Sequence, residues 1–152
     1  MPIQAKFVHT NIVARDWRRI AKFYEEVFGC VPMLPERDYD GEWINQLTAS
    51  DGHLTIRGIH LRLPGYDDHG PTLEIFEYNE QPDAPPIAAN RSGFTHIAFH
   101  VDDVPAARQA VLDGGGQDLG DIIHLDVPRA GHISLIYMTD PEGNIIELQN
   151  CT

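Results

Sequence analysis

The chain has 152 residues, of which 42% are hydrophobic, which is enough for a packed core of about one domain. Its 11 Lys and Arg residues against 23 Asp and Glu residues give a formal net charge of −12, which argues against nucleic-acid binding because phosphate backbones are repelled. No apolar run approaches the roughly 20 residues that cross a bilayer, and no apolar signal core follows the first residues. We therefore expect a soluble, cytoplasmic protein that does not bind membranes.

The first predicted element is a strand over residues 6–13, where β-branched and aromatic residues are interrupted by polar ones. Asp16 then stands at the N-cap position of a helix whose apolar residues recur at three- and four-residue spacing until Gly29 ends it. Three strands are predicted next, separated by turns that contain Gly or Pro. They cover residues 43–47, 54–63 and 72–78. The first half is thus predicted to be a βαβββ module.

The second half repeats this order after a connection over residues 79–92, which carries three prolines and no periodicity. A strand over 93–101 precedes a helix that Asp103 caps and that ends at the glycines 114–116. The remaining strands are predicted over 121–127, 132–139 and 144–149. We expect an α+β protein with a single domain over 1–152, composed of module one at about 5–79, a linker at about 80–92 and module two at about 93–150.

A histidine and a glutamate recur at matching points of the two modules. His9 and His96 lie on the first strand of their modules, and Glu74 and Glu147 each follow an apolar pair on the last strand. A buried, ionised carboxylate without a partner costs several kcal/mol, so two such residues facing two histidines favour a divalent cation between them. The repeat predicts one metal site built by both modules, with ligand bonds of roughly 2.0–2.2 Å.

These residues also carry a family resemblance. The segments Phe94–Asp103 and Asp140–Leu148, with Lys22–Gly29 in support, resemble the vicinal oxygen chelate superfamily. That superfamily includes glyoxalase I, fosfomycin-resistance proteins, bleomycin-binding proteins, methylmalonyl-CoA epimerase and extradiol dioxygenases. The resemblance implies paired βαβββ modules forming a cupped, incomplete β-barrel, and it implies a homodimer in which modules pair within one chain or across two. The metal positions that it carries over are His9, Glu74, His96 and Glu147.

The ligand types resemble those of bacterial glyoxalase I. This resemblance implies an isomerase or lyase that acts on a small carbonyl or hydroxy compound with one divalent ion, namely Ni²⁺, Co²⁺, Zn²⁺ or Mn²⁺, with Fe²⁺ as a further option. Glu74 or Glu147 would be the catalytic base. Val13 stands where glyoxalase I has an arginine that contacts glutathione, so a different substrate stays open. Two other classes also remain: a metal-free binding protein like the bleomycin-binding members, and an Fe²⁺ dioxygenase.

Three residues share strand parity with the predicted ligands and are expected to line the substrate pocket. Phe76 and Tyr78 follow Glu74 at even spacing, and His100 follows His96 in the same way. The remaining histidines have no matching partner in the repeat and are interpreted as surface or ordinary core residues. They are His53, His60, His69, His124 and His132. Neither cysteine, Cys30 or Cys151, is predicted to be a ligand.

Overall fold

A computed structural model describes all 152 residues and divides the chain into two compact units, Met1–Asp83 and Ala84–Thr152. Each unit contains its own sheet of strands together with helix, so the predicted α+β class is confirmed. The division falls within the segment 79–92, where the chain forms neither helix nor strand.

The first unit has a four-stranded sheet. Its elements in chain order are β1 (His9–Val13), α1 (Trp17–Phe28), β2 (Val31–Asp40), α2 (Glu42–Thr48), β3 (Thr55–Arg62) and β4 (Thr72–Tyr78). The strand order is β1-β4-β3-β2, in which β1 runs parallel to β4 and the other neighbours are antiparallel. The strands predicted over 54–63 and 72–78 are confirmed, and the first strand begins at His9 rather than at residue 6.

Helix α1 packs against one face of the two central strands of this sheet. The Asp16 carboxylate accepts a hydrogen bond from the backbone N–H of Arg19 at 3.1 Å, as expected of an N-cap, and Gly29 ends the helix with a left-handed φ of 71°. The buried side of α1 packs against β3 and β4. One face of these strands, which includes Ile59 and Ile75, is thereby buried. The opposite face carries His60 and Glu74 together with the aromatic side chains of Phe76 and Tyr78.

The prediction of a strand over residues 43–47 is wrong, because these residues belong to helix α2. This helix buries only Ile44, so seven residues contain too few apolar positions to show a helical period. The missing strand is β2, most of whose residues are exposed. It lies at the edge of the sheet, where a strand bonded on one side needs no alternation of apolar residues.

The second unit also forms one sheet. Its elements are β5 (His96–His100), α3 (Val104–Asp113), β6 (Gln117–Asp118), β7 (Ile123–Val127), β8 (Gly131–Thr139) and β9 (Ile145–Cys151). The order is β5-β9-β8-β6, with β7 also paired to β8, and β5 runs parallel to β9. The Asp103 carboxylate accepts from the N–H of Ala106 at 2.9 Å, which confirms the predicted cap. Only the two-residue strand β6 was not predicted. Measured against the length and hydrophobicity that a bilayer crossing demands, α1, α2 and α3 all fall short.

Candidate metal centre

In each unit, the first and last strands bring one histidine and one glutamate together. The register of β1 against β4 matches that of β5 against β9. In both pairs of strands, the residue that pairs with the glutamate comes two positions after the histidine in the sequence. Residues two apart lie on the same face of a strand, so the side chains meet. His9 Nε2 lies 3.5 Å from Glu74 Oε1, and His96 Nε2 lies 3.5 Å from Glu147 Oε2. The repeat in the sequence is therefore a repeat of side-chain geometry within each unit.

The carboxylate of Glu74 is buried and held by several polar neighbours. Only 8% of the residue is exposed. Asn11 donates from Nδ2 to Oε1 at 2.8 Å, and His60 places Nε2 2.8 Å from Oε2. Hydrogen bonds to an ionised acceptor are about twice as strong as neutral ones and offset the cost of burying the charge. Both carboxylate oxygens are thus fixed in direction.

His60 is the site residue that the sequence analysis missed. It lies on β3 directly opposite Glu74 in the antiparallel pairing with β4. Its Nδ1 lies 3.2 Å from Thr72 Oγ1, and its ring meets the ring of His9 edge to face, with centroids 5.5 Å apart. The second unit has no histidine at the matching position, so the repeat gave no signal, and the pairing register of β3 with β4 cannot be derived from sequence alone.

Burial and nearby charges act on the titratable groups around Glu74. Burial lowers the pKa of His60, while the Glu74 carboxylate opposes this change and the positive charges of Arg37 and His9 add to it. A neutral imidazole is the form that binds a metal. Burial, together with the negative charge of Glu74, raises the pKa of Tyr78, which keeps its phenol protonated.

The donor set of the first unit fits a divalent cation. His9, His60 and Glu74 each offer one ligand atom, and these atoms all lie within 4.8 Å of one another. Two ligands with bonds of about 2.1 Å to a common ion are roughly 3.0 Å apart at a right angle and roughly 3.4 Å apart at a tetrahedral angle. The separations of 2.8 Å from His60 Nε2 to Glu74 Oε2 and of 3.5 Å from His9 Nε2 to Glu74 Oε1 are close to this range, and the ligand nitrogens of the two histidines lie within 4.8 Å of each other. Imidazole and carboxylate together suit Zn²⁺, Ni²⁺, Co²⁺, Mn²⁺ and Fe²⁺.

The second unit holds its glutamate more loosely. Glu147 lies opposite Tyr137 on β8, and the ring of Tyr137 packs on His96 with centroids 4.9 Å apart. Ala98, which has no polar side chain, stands beside Glu147 on the other neighbouring strand. Glu147 therefore has the 3.5 Å contact with His96 but neither of the two close hydrogen bonds that hold its counterpart.

The predicted pocket residues have different surroundings. Phe76 and Tyr78 lie on the same face of β4 as Glu74, and the Phe76 ring meets the His60 ring edge to face at 6.3 Å. Together with Tyr39 they pack against a buried cluster formed by Ile44, Leu54 and Ile56. The side chain of His100 is 62% exposed, and its Nε2 lies 3.9 Å from Asp102 Oδ1. A role in substrate binding stays a prediction for all three residues.

Two sheets, each with a histidine on its first strand and a glutamate on its last, define a protein with the glyoxalase type of fold. The sequence profile of the Glyoxalase/Bleomycin resistance protein/Dioxygenase superfamily matches residues 6–148. The chain belongs to this superfamily.

Solved structures agree on the fold. A glyoxalase family protein from Bacillus cereus superposes with a TM-score of 0.81 at 18% identity, over 99% of this chain and 96% of that one. A glyoxalase family protein from Enterococcus faecalis gives a TM-score of 0.61 at 20% identity, over 95% and 96%. A variant of glyoxalase I from Zea mays gives 0.64 at 20% identity over 94% of this chain, which spans 45% of the Zea mays chain. No curated protein sequence matches this chain.

Proposed function

We propose that the protein is a divalent-metal-dependent enzyme of the glyoxalase I type, an isomerase or lyase for a small carbonyl or hydroxy compound with adjacent oxygens. The observation that carries the proposal is the matched pair of contacts, His9 with Glu74 and His96 with Glu147, each at 3.5 Å. These four residues are proposed as metal ligands. When bound, such an ion acts as a Lewis acid, which polarises a carbonyl oxygen and acidifies the neighbouring C–H.

Glu147 is proposed as the group that moves the proton. A base that carries a proton from one carbon atom of the substrate to the next must be able to move. Glu147 meets this requirement better than Glu74, because it lacks the hydrogen bonds that fix Glu74. With a thiol adduct of methylglyoxal, the Glu147 carboxylate would take the proton from the carbon that bears hydroxyl and sulfur. It would return this proton to the adjacent carbonyl carbon, while the hydroxyl proton passes to the former carbonyl oxygen, which leaves an α-hydroxy thioester. Hydrogen moves within the substrate, so no oxidant is consumed. Glu74, the other predicted base, would remain a ligand.

The surroundings of the first-unit donors favour a substrate with an apolar or aromatic group. Phe76 lies beside His60, the Tyr39 ring meets the Phe76 ring, and Tyr78 follows two residues further along β4. Val13 pairs with Phe76 and is 47% exposed on the same face, so this position offers no positive charge to an acidic thiol such as glutathione. We propose that the natural substrate is a carbonyl compound with less negative charge than a glutathione adduct.

A second candidate function is that of an Fe²⁺ dioxygenase. The observation that favours it is the grouping of His9, His60 and Glu74, because two histidines and one carboxylate with open positions are the ligand set of many non-haem Fe²⁺ oxygenases. Oxygen uptake with catechols by the Fe²⁺-loaded protein tests this alternative. Uptake above that of the Zn²⁺-loaded protein would favour it over the isomerase.

Metal analysis tests the requirement for an ion. Protein purified without chelator is expected to hold about one divalent ion per site, and Glu74→Gln is expected to lose most of it, because the amide lacks the negative charge that the ion requires. His53→Gln is the matched control, since His53 also contacts a carboxylate, that of Asp40 at 3.0 Å, but is exposed and lies in no group of donors. Equal metal content in all three proteins would remove Glu74 from the ligand set.

Activity measurements test the role of Glu147. The wild type loaded with Ni²⁺, Co²⁺, Zn²⁺ or Mn²⁺ is expected to consume methylglyoxal–thiol adducts. Glu147→Gln is expected to lower the rate constant by about 10²–10⁴-fold, the range typical of a general base. Turnover that survives complete removal of metal would contradict the proposed enzyme class.

A further inference from the structure

We infer that His60 is a third protein ligand from the first unit, so that His9, His60 and Glu74 hold a divalent ion without help from the second unit. This inference rests on the proposed function, because it concerns the same ion. It extends the ligand set beyond the four positions of the repeat. It also makes the two halves of the chain unequal, because the first unit offers three donors and the second offers two.

The strand order brings these three donors to one face of a single sheet. β4 lies between β1 and β3, so Glu74 has His9 on one side and His60 on the other. His60 Nε2 approaches Oε2 at 2.8 Å, and His9 Nε2 approaches Oε1 at 3.5 Å. One carboxylate thus bridges two imidazoles that meet edge to face. Three adjacent, hydrogen-bonded strands position a ligand set more precisely than loops do.

The second ring nitrogen of His60 has the neighbour that a ligating histidine requires. A metal-bound imidazole usually donates its other N–H to an acceptor, which fixes the tautomer and the ring orientation. Thr72 Oγ1, in a residue that is 9% exposed, lies 3.2 Å from Nδ1 and can accept this hydrogen. Nε2 is then left with a lone pair directed at the site. Without an ion, Nε2–H donates to Glu74, so loading moves the ring proton from Nε2 to Nδ1 and leaves the charge of the ring unchanged.

The second unit lacks this third donor. Tyr137 occupies the position of His60, directly opposite the glutamate of its own sheet. A phenol must lose its proton before it binds a divalent ion strongly, whereas a neutral imidazole binds as it is. His96 and Glu147 therefore form a two-donor set, and His9, His60 and Glu74 form a three-donor set. Substitutions in the first unit should weaken metal binding more than those in the second.

Proton NMR of the full-length protein loaded with Co²⁺ tests whether His60 binds the ion directly. A bound Co²⁺ strongly shifts the ring N–H resonances of the histidines that ligate it. One shifted resonance is expected to vanish in His60→Gln while the others persist, and none is expected to vanish in the control His53→Gln. A purely structural role for His60 would leave the number of shifted resonances unchanged. That result would overturn the inference, even if affinity fell.

The double variant His96→Gln/Glu147→Gln tests whether the first unit suffices. It is expected to bind Co²⁺ in a calorimetric titration and to retain the resonance assigned to His60. Complete loss of binding in this variant would overturn the inference, and this arm decides the matter if His60→Gln proves unfolded. Failure of the wild type to bind Co²⁺ would sink the proposed function as well. Suppose instead that the wild type binds Co²⁺, that His9→Gln and His96→Gln each abolish binding, and that His60→Gln leaves the shifted resonances unchanged. The proposed function would then stand, and only the role of His60 as a ligand would be excluded.

Discussion

Asn11 and Ala98 stand at equivalent positions of the repeat, beside Glu74 and Glu147 respectively. This single difference accounts for one of the two hydrogen bonds that distinguish the two glutamates. The Nδ2 of Asn11 donates to a buried carboxylate at 2.8 Å, while the methyl group of Ala98 donates nothing. Asn11, which is not itself a proposed ligand, therefore helps to orient Glu74, and Ala98 offers no such hydrogen bond to Glu147.

Asn11→Ala is expected to destabilise the metal-free protein by about 1–3 kcal/mol, because it removes a donor from a buried, charged acceptor. The measurement is urea unfolding in the presence of a chelator. Asn90→Ala is the control, since Asn90 is exposed in a turn of the connecting segment, and it should change stability by less than about 0.5 kcal/mol. Equal midpoints for the two variants would show that the Asn11 hydrogen bond contributes nothing net.

The two cysteines are expected to differ sharply in reactivity. Burial raises the pKa of Cys30 to about 11, helped by the negative charge of Glu25, and the residue is 3% exposed. Its thiol therefore stays protonated and shielded at pH 8, whereas Cys151 is exposed. Alkylation of the native protein should modify Cys151 rapidly and Cys30 only after denaturation. Mass spectrometry of Cys151→Ser checks this, because rapid labelling of that variant would contradict the buried position of Cys30.

The sequence predicts the helices and strands whose apolar residues recur with a clear period, and it misses the features that depend on how strands pair. Helices α1 and α3 were predicted from their caps and apolar spacing, and β4 was predicted with its observed bounds. α2 is too short to show a period, and β2 is an edge strand without a buried face. His60 was missed for a related reason. It lies beside Glu74 only because of the antiparallel register of β3 with β4, which tertiary structure sets.

The same register makes Gly58 a sensitive position. Gly58 lies opposite Phe76 on the face that carries His60, and a Cβ atom there would come within 2.0 Å of the Ile75 carbonyl oxygen and 2.8 Å of the Phe76 ring. Gly58→Ala must therefore displace the backbone of β4 or the ring of Phe76. We expect the free energy of unfolding to fall by about 1–3 kcal/mol. Metal affinity should fall as well, because β4 carries Glu74.

Gly120→Ala is the matched control for this substitution. A Cβ at Gly120 would meet no atom within 4 Å, and its backbone is not in the left-handed region. Thermal unfolding and a Co²⁺ titration of both variants give the comparison. Similar losses in the two variants would mean that the close approach at Gly58 relaxes without cost.

At the scale of the whole molecule, both sheets leave a ligand-bearing strand at an edge. β1 and β5 are the terminal strands of their sheets, and the exposed side chains of Phe7, Val8 and Phe94 lie just before them in the chain. Exposed apolar residues beside a strand edge favour association. We therefore retain the homodimer as a prediction, and light scattering during size exclusion should give about twice the chain mass of 17.0 kDa. A value equal to the chain mass across the accessible concentration range would refute it.

Binding of a specific ion should stabilise the whole chain, and the acidic surface makes the choice of control important. An ion at about 100 times its dissociation constant stabilises by about 2.7 kcal/mol, which raises the midpoint of thermal unfolding by roughly 5–10 °C for a protein of this size. A chain with a net charge of −12 is also stabilised by any cation that screens its self-repulsion. Mg²⁺ screens as Ni²⁺ does but prefers oxygen ligands, so only Ni²⁺ should give the full shift at the same concentration. His9→Gln should reduce the Ni²⁺ shift towards the Mg²⁺ value, since it removes one donor while leaving the surface charge unchanged. If calorimetry gives equal shifts for the two cations in the wild type, the stabilisation comes from the acidic surface as a whole and not from a site of histidines.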